Sequence, residues 1–559
     1  MASTPEPAPK KPKLRIKDPR EAAAEREAGR KRRSGRQRHR VGRKKNTLEL
    51  AGQILTGACV IGSPWAFGSV SLLAQLFLGL SLILTLGIWF VRSFTAEDES
   101  RIHAIALPVI LFLAVSVAQF VPLPSPIASR VAGQQNQIRQ DLAISLQATH
   151  PQVATANTDN QLVTLNYSAT REQVAYFILI AAAFFAGMRF FNSRYDTVGL
   201  AVALMINGIL LSVFGLFQKV ISDSSIYGLP LEFGGAPFAS FVNRNNASGY
   251  LLICLASGLA VVFFSFAKIK QDKISLKATG LRKKRFVQFT NEARYVMANL
   301  TVPRILLLAG VALIVVGIAA SLSRGGMIAM ASTVIASMLF LGRRKQIRSC
   351  VLLLLFLVPT SSIAIIMSGL QGEIGNRLNT LQSEELLEHE LRPQLWADSL
   401  QAVNDFPILG SGLGTFRYVY REYQTFEDLI WCYHAENVYV ELLITIGLPA
   451  VCMLLGMAAY FLVVAIWLPS KSGNPLNLAI GALGFFVIVS QAIANFFDFG
   501  LFIPSNGVAT AVLMGALVGC ARAKLKSEKD KELNHLWLPK LINRPLIALL
   551  IAGSMWNCF

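Results

Sequence analysis

Residues 71–91 read SLLAQLFLGLSLILTLGIWFV, an apolar run from Ser71 to Val91 without one charged side chain. A run of this length crosses the roughly 30 Å hydrocarbon core of a bilayer as a helix, since in lipid every backbone N–H and C=O must be satisfied internally. Val198 to Phe217 and Ile305 to Leu322 have the same character. The whole chain of 559 residues is 53% hydrophobic and 15% charged, with a mean hydropathy of +0.48, whereas soluble proteins carry about one quarter charged residues. A soluble enzyme is thereby excluded. The expected fold is an all-α integral membrane protein of about 12 transmembrane helices, with a long extracytoplasmic loop that carries short helices.

With Gly, Pro and charge as punctuation, the spans fall near 48–64, 71–91, 103–120, 173–190, 197–217, 247–267, 304–322, 327–342, 349–368, 437–467, 476–495 and 503–521. The net charge of +20 resides in two segments: 17 Lys/Arg against 5 Asp/Glu in residues 1–47, and 10 against 2 in residues 268–304. Both flank apolar spans, the pattern of cytoplasmic segments beside anionic lipid, and no aromatic residues interleave the basic tail, so membrane lipids rather than nucleic acid are the expected partner. The organisation follows. Residues 1–47 form a basic disordered cytoplasmic tail, 48–521 the transmembrane domain, and 522–559 a cytoplasmic or interfacial tail, with both termini cytoplasmic.

Two outer connections are long, 121–172 and 369–436, and the second holds eleven acids against four bases. Leu387, Leu391 and Leu395 with Trp396 stand at helical spacing in it. They read either as an amphipathic helix on the membrane face, kinked or restarted at Pro393, or as a helix packed on the bundle. Gly410-Ser411-Gly412-Leu413-Gly414 lacks the strand context of a dinucleotide fingerprint and reads as a tight turn after Phe406-Pro407. The cysteines form no CxxC pair, the histidines lack zinc spacing and there is no Walker motif, so neither a metal nor another cofactor is expected.

Three spans that run inward begin with polar residues: Asn243-Arg244-Asn245-Asn246, Ser323-Arg324-Gly325-Gly326 and His434-Ala435-Glu436-Asn437. Their unpaired N–H groups and positive dipole ends lie at one membrane level, where an added arginine makes a phosphate receptor and glycines let an anion approach the backbone. Arg244 and Arg324 read as such ligands or as arginines that only anchor helix ends in the interface. Arg392 lies among acids and reads as a surface ion pair or a third phosphate contact. His434 is a structural histidine or a base. Asp498, just before the last span, is a helix cap or a ligand for a substrate hydroxyl.

These fragments, with Ser63-Pro64-Trp65-Ala66-Phe67-Gly68, Gln119-Phe120-Val121-Pro122-Leu123-Pro124, Arg392 with Trp396, and Pro407-Ile408-Leu409-Gly410-Ser411-Gly412, stand in an order from about residue 50 to 520 that resembles the O-antigen ligase and polymerase superfamily of bacterial membrane proteins. The resemblance implies a metal-independent glycosyltransferase in the cytoplasmic membrane. It would pass an undecaprenyl-diphosphate-linked glycan, at the outer face, to a glycan, lipid or protein acceptor. It also implies that Arg244 and Arg324 hold the diphosphate; Arg392 and Asn245 are further candidate substrate ligands. In the family the histidine usually stands directly before Asn or Ser. Here Glu436 holds that position and His434 lies two residues earlier, so either is the candidate catalytic base. An anion transporter of bicarbonate type and a noncatalytic polysaccharide-assembly protein are the alternatives, since permeation also uses arginines at broken helix ends.

Overall fold

The computed structural model describes residues 47–95, 107–149, 160–221, 224–231, 236–267, 284–343, 391–426, 431–470, 474–528 and 540–556. The basic tail up to residue 46, the span expected at 349–368, residues 369–390 of the acidic loop and parts of the C-terminal tail lie outside these residues.

Among the described residues the architecture is all-α, apart from two-residue antiparallel pairings of Leu123–Pro124 with Asn160–Gln161 and of Ser225–Ile226 with Leu229–Pro230. The principal helices are α1 (Thr47–Gly62), α2 (Leu72–Thr95), α3 (Leu107–Ala118), α4 (Tyr167–Phe190), α5 (Arg194–Ile221), α6 (Arg244–Ala267), α7 (Val302–Ala320), α8 (Arg324–Arg343), α9 (Leu391–Asp405), α10 (Val438–Trp467), α11 (Pro475–Ala494), α12 (Pro504–Glu528) and α13 (Lys540–Trp556). Nine of the described helices, namely α2, α4 to α8 and α10 to α12, are long and apolar enough to cross a membrane by length and composition. Each coincides with an expected span. The spans expected near 48–64 and 103–120 correspond to the shorter α1 and α3. Helix α1 stops where Pro64 enters a 3-10 turn, and residues 101–106 before α3 lie outside the described part.

Helices α6 and α12 are the most enclosed. α12 lies along α4 so closely that a Cβ at Gly187 would sit 2.2 Å from the Val512 carbonyl oxygen, and one at Gly515 2.0 Å from that of Phe184. Small residues at such crossings let backbones approach where lipid gives no hydrophobic incentive to associate. α13 packs on α2 and α4, with Ile547 and Leu550 buried and the Arg544 guanidinium over the Phe94 ring at 4.2 Å.

The expected turn after Pro407 is present, with Gly410, Gly412 and Gly414 all at positive φ. It also completes a broken helix. Pro449 has no N–H to offer the Thr445 carbonyl of its own helix, and Gly447 (φ 78°, ψ 166°) takes α10 out of helical geometry. The freed groups turn to the loop. The Ser411 and Gly412 N–H groups donate to Ile444 and Thr445 O at 2.8 and 3.1 Å, and the Leu448 N–H donates to Pro407 O at 2.9 Å. Gln119 donates from Nε2 to Leu409 O and Thr445 O, both at 2.8 Å. The Ile444 and Thr445 carbonyls and the Leu448 N–H freed by the break thus find partners in the loop.

A backbone near φ 78°, ψ 166° is open essentially to glycine alone, and another residue costs about 1–3 kcal/mol there. A Cβ at Gly447 would also lie 2.3 Å from Ile408 O, whereas one at Gly456 in the same helix meets nothing within 4 Å. Gly447→Ala is therefore expected to reduce the folded fraction recovered by size exclusion in detergent, and Gly456→Ala to leave it unchanged. Equal recovery of the two would mean that the break is dispensable.

Candidate active site

The three polar segments singled out in the sequence are helix N-termini, each closed by its own side-chain cap. Asn243 Oδ1 accepts from the Asn245 N–H at 2.8 Å ahead of α6. Ser323 Oγ accepts from the Gly326 N–H at 3.1 Å at the head of α8. Asn437 Oδ1 accepts from Tyr439 and Val440 N–H at 2.9 and 3.2 Å at the head of α10. Capping satisfies some of the free N–H groups and leaves the positive end of each dipole in place. The tight reversals are strained: Leu322, between α7 and α8, has φ 55°, and Glu436, ahead of α10, has φ 52°.

The ends of α6 and α8 meet the turn after α11. Together they wall a cleft of about 460 Å³, counted with its open mouth, lined by Arg244, Asn245, Ser323, Arg324, Arg392, Asp498 and neighbours. Three arginines from three separate helices thus converge, and Arg392 arrives from the first turn of α9. That helix is described from Leu391 and carries Pro393 near that end. Its buried Leu395 packs with Phe406, Phe416 and Ile444, so α9 takes the bundle-packed arrangement. The cleft holds cations at helix N-termini in a pocket with polar walls, a setting suited to a multiply charged anion.

Gly325 and Gly326 line this cleft, but their small size serves packing. A Cβ at Gly326 would meet Ser248 Oγ at 2.4 Å, and one at Gly325 would meet Phe497 Cβ at 2.9 Å.

Arg392 Nη2 pairs with Glu436 Oε2 at 2.9 Å, both side chains partly exposed. The ion pair expected of Arg392 is therefore present, and its partner is the second candidate base. His434 lies beside the cleft, not in its wall. Its ring stacks on Phe499 with centroids 4.2 Å apart, and its Nδ1 lies 3.1 and 3.2 Å from the two oxygens of Glu441. Glu441 also accepts the Ala435 N–H at 3.1 Å. A carboxylate on Nδ1 fixes the proton there and leaves Nε2 as the basic nitrogen. Burial pushes the His434 imidazolium down, but the charge and hydrogen bond of Glu441, with Glu436 and Asp498 farther off, outweigh it and raise the pKa above 6.5. Asp498 Oδ1 is buried without a hydrogen-bond partner. Burial, with the charge of Glu436, pushes the Asp498 carboxyl up to about 7 against the Phe499 N–H, Arg392 and His434.

All seven residues chosen from the sequence lie in or against this one locality. Arg244, Asn245, Arg324, Arg392 and Asp498 line the cleft, Glu436 joins through Arg392, and His434 through Phe499. Glu441 was not foreseen. Its signal was an acid in the first turn of an otherwise apolar span, a position that carboxylates occupy only with a partner. Among the described residues no group of three His, Cys, Asp or Glu side chains is gathered as a metal site.

A bundle of apolar helices with a cationic cleft built from helix N-termini defines a multi-pass α-helical membrane protein with a site at the helix ends. Within that class, residues 309–455 match the family model described as O-antigen ligase. The match supports the O-antigen ligase-like superfamily and, in general terms, a ligase-like glycosyltransferase role with a lipid-linked glycan and an acceptor as partners. It includes Arg324, Arg392, His434, Glu436 and Glu441, while Arg244 and Asp498 lie outside it. No curated protein matches the chain.

Proposed function

We propose that the protein transfers or polymerises an undecaprenyl-diphosphate-linked glycan at the outer face of the bacterial cytoplasmic membrane, without a metal ion. The convergence of Arg244, Arg324 and Arg392 at the ends of α6, α8 and α9 is the observation that carries this reading. The arginines hold the diphosphate. The acceptor hydroxyl gives its proton to Nε2 of His434 as its oxygen attacks the anomeric carbon. The bond from that carbon to the diphosphate oxygen breaks, and the electron pair leaves with undecaprenyl diphosphate. A leaving group already ionised needs little protonation, and fixed positive charge at its oxygens stabilises the transition state without reorganisation. Glu441 holds the imidazole in the required tautomer.

The outer-face assignment draws support from the positive-inside pattern, because Arg304 and Lys524 lie at the opposite helix ends, against Ser265 and Leu468. Anion permeation fits less well, since permeation sites lie near the membrane midplane between broken helices and this cleft lies at helix ends. Proteoliposomes supplied with a lipid-diphosphate glycan and an acceptor decide the matter. The expected result is release of undecaprenyl diphosphate that persists in chelator. Uptake of a labelled anion without such release would assign the protein to transport, and neither product would leave an assembly role.

A further inference from the structure

The surface next to His434 carries side chains that this transfer chemistry does not use. Tyr418, Trp431 and Tyr433 are 42, 45 and 61% exposed, and Tyr418 meets Trp431 edge to face at 6.4 Å. Two guanidiniums lie over these rings. Arg417 is 5.0 Å from the Tyr418 centroid and 5.9 Å from that of Tyr433, and Arg421 is 5.9 Å from that of Trp431.

The loop is strongly acidic, with eleven acids against four bases over residues 369–436, so arginines here have carboxylates to choose from. Arg392 takes Glu436. Among the described residues Arg417 and Arg421 form neither an ion pair nor a hydrogen bond, and Arg417 Nε is buried without a partner. A guanidinium stacked on a ring keeps its outer Nη groups available, and two of them can grip a carboxylate in two places. Exposed aromatic faces beside it complement the apolar C–H face of a pyranose while their polar edges stay wet. A sugar that bears a carboxylate satisfies both halves of this surface at once, whereas a neutral sugar leaves the guanidiniums unmet.

The location fits as well. Tyr433 directly precedes His434, and the segment between them and α10 is held by the Trp396 Nε1 donation to Ala435 O at 2.8 Å and by the Asn437 cap. The backbone that carries both Tyr433 and His434 is therefore fixed.

We propose that Tyr418, Trp431 and Tyr433 with Arg417 and Arg421 form a subsite for an anionic, carboxylate-bearing sugar of the glycan that reaches His434, which deepens the transferase reading and rests on it. The sugar belongs to the donor or to the acceptor glycan.

The test uses the full chain in nanodiscs of zwitterionic lipid, titrated calorimetrically with a glucuronate-containing tetrasaccharide and with its carboxyl-reduced neutral counterpart. The acidic oligosaccharide is expected to bind at least tenfold more tightly. Arg417→Gln/Arg421→Gln together, and separately Trp431→Ala, are expected to weaken it at least tenfold with unchanged thermal unfolding. Equal binding of the two oligosaccharides, or variants that bind as the parent does, would overturn the subsite. So would variants that lose affinity only for vesicles containing anionic lipid, which would make the patch a membrane contact. In the transfer assay a rise in acceptor KM alone assigns the sugar to the acceptor, and a rise in donor KM alone assigns it to the donor. Oligosaccharide binding is read without turnover, so it survives if the transferase reading fails.

Discussion

His434→Ala is expected to lower turnover about 10²–10⁴-fold while the donor still binds, the effect of removing a positioned general base. The geometry favours His434 over Glu436. Glu436 is engaged by Arg392 at 2.9 Å, so its carboxylate already has a partner that an incoming hydroxyl would have to displace. His434 has its Nδ1 held by Glu441, the arrangement that leaves the other nitrogen basic. The pH profile supplies an independent check. An imidazole works as a base only when unprotonated, so activity rises with pH through the His434 pKa, which lies above 6.5 because Glu441 and, less strongly, Glu436 favour the imidazolium against its burial. Glu441→Gln removes the larger of these charges and should move the acid limb to lower pH as well as slow the reaction. Glu436→Gln should move it in the same direction by less. Retained turnover in His434→Ala with loss in Glu436→Gln would transfer the role to Glu436.

The second large effect is expected at the arginines. Arg244→Ala and Arg324→Ala should each remove about 1.5–3 kcal/mol of donor binding or transition-state stabilisation, roughly 10- to 150-fold at 25 °C. Lysine should restore only part of this, since an ammonium lacks the planar fork. The two arginines face one cleft, so the double variant should lose less than the sum of the single losses. Arg392→Ala should have a smaller effect on the donor, because its charge is already shared with Glu436. Normal insertion with full transfer by both single variants would place the diphosphate elsewhere.

The sequence made the membrane spans readable because apolar length is a one-dimensional signal that the bilayer enforces. The site was readable for a related reason. A charge at the end of an apolar run stands out, and Arg244, Arg324 and Asp498 lie at such ends. Their convergence was not readable, because it depends on α6, α8 and the turn after α11 being neighbours. Glu441 escaped because a single acid within Val438–Trp467 looks like part of the span until its partner is known. The break at Gly447-Leu448-Pro449 carried recognisable helix breakers, but its hydrogen-bond partners at Pro407 to Gly412 lie far away in the chain. Tyr418, Trp431 and Tyr433 were unremarked for the same reason, since rings and guanidiniums meet only in the folded loop.

The break in α10 also bears on how the helix would accommodate membranes of different thickness. Residues Val438 to Ile446 are fastened to the 407–412 loop, which Gln119 and Gln135 tie in turn to other segments. The remainder, Leu448 to Trp467, is tied to that loop through the Leu448 N–H and keeps Phe461, Val464 and Ala465 buried, so a lean of this part in a thinner or thicker bilayer would pivot at Gly447. Glu441, and with it His434, would keep its place while the far part of the same helix leans.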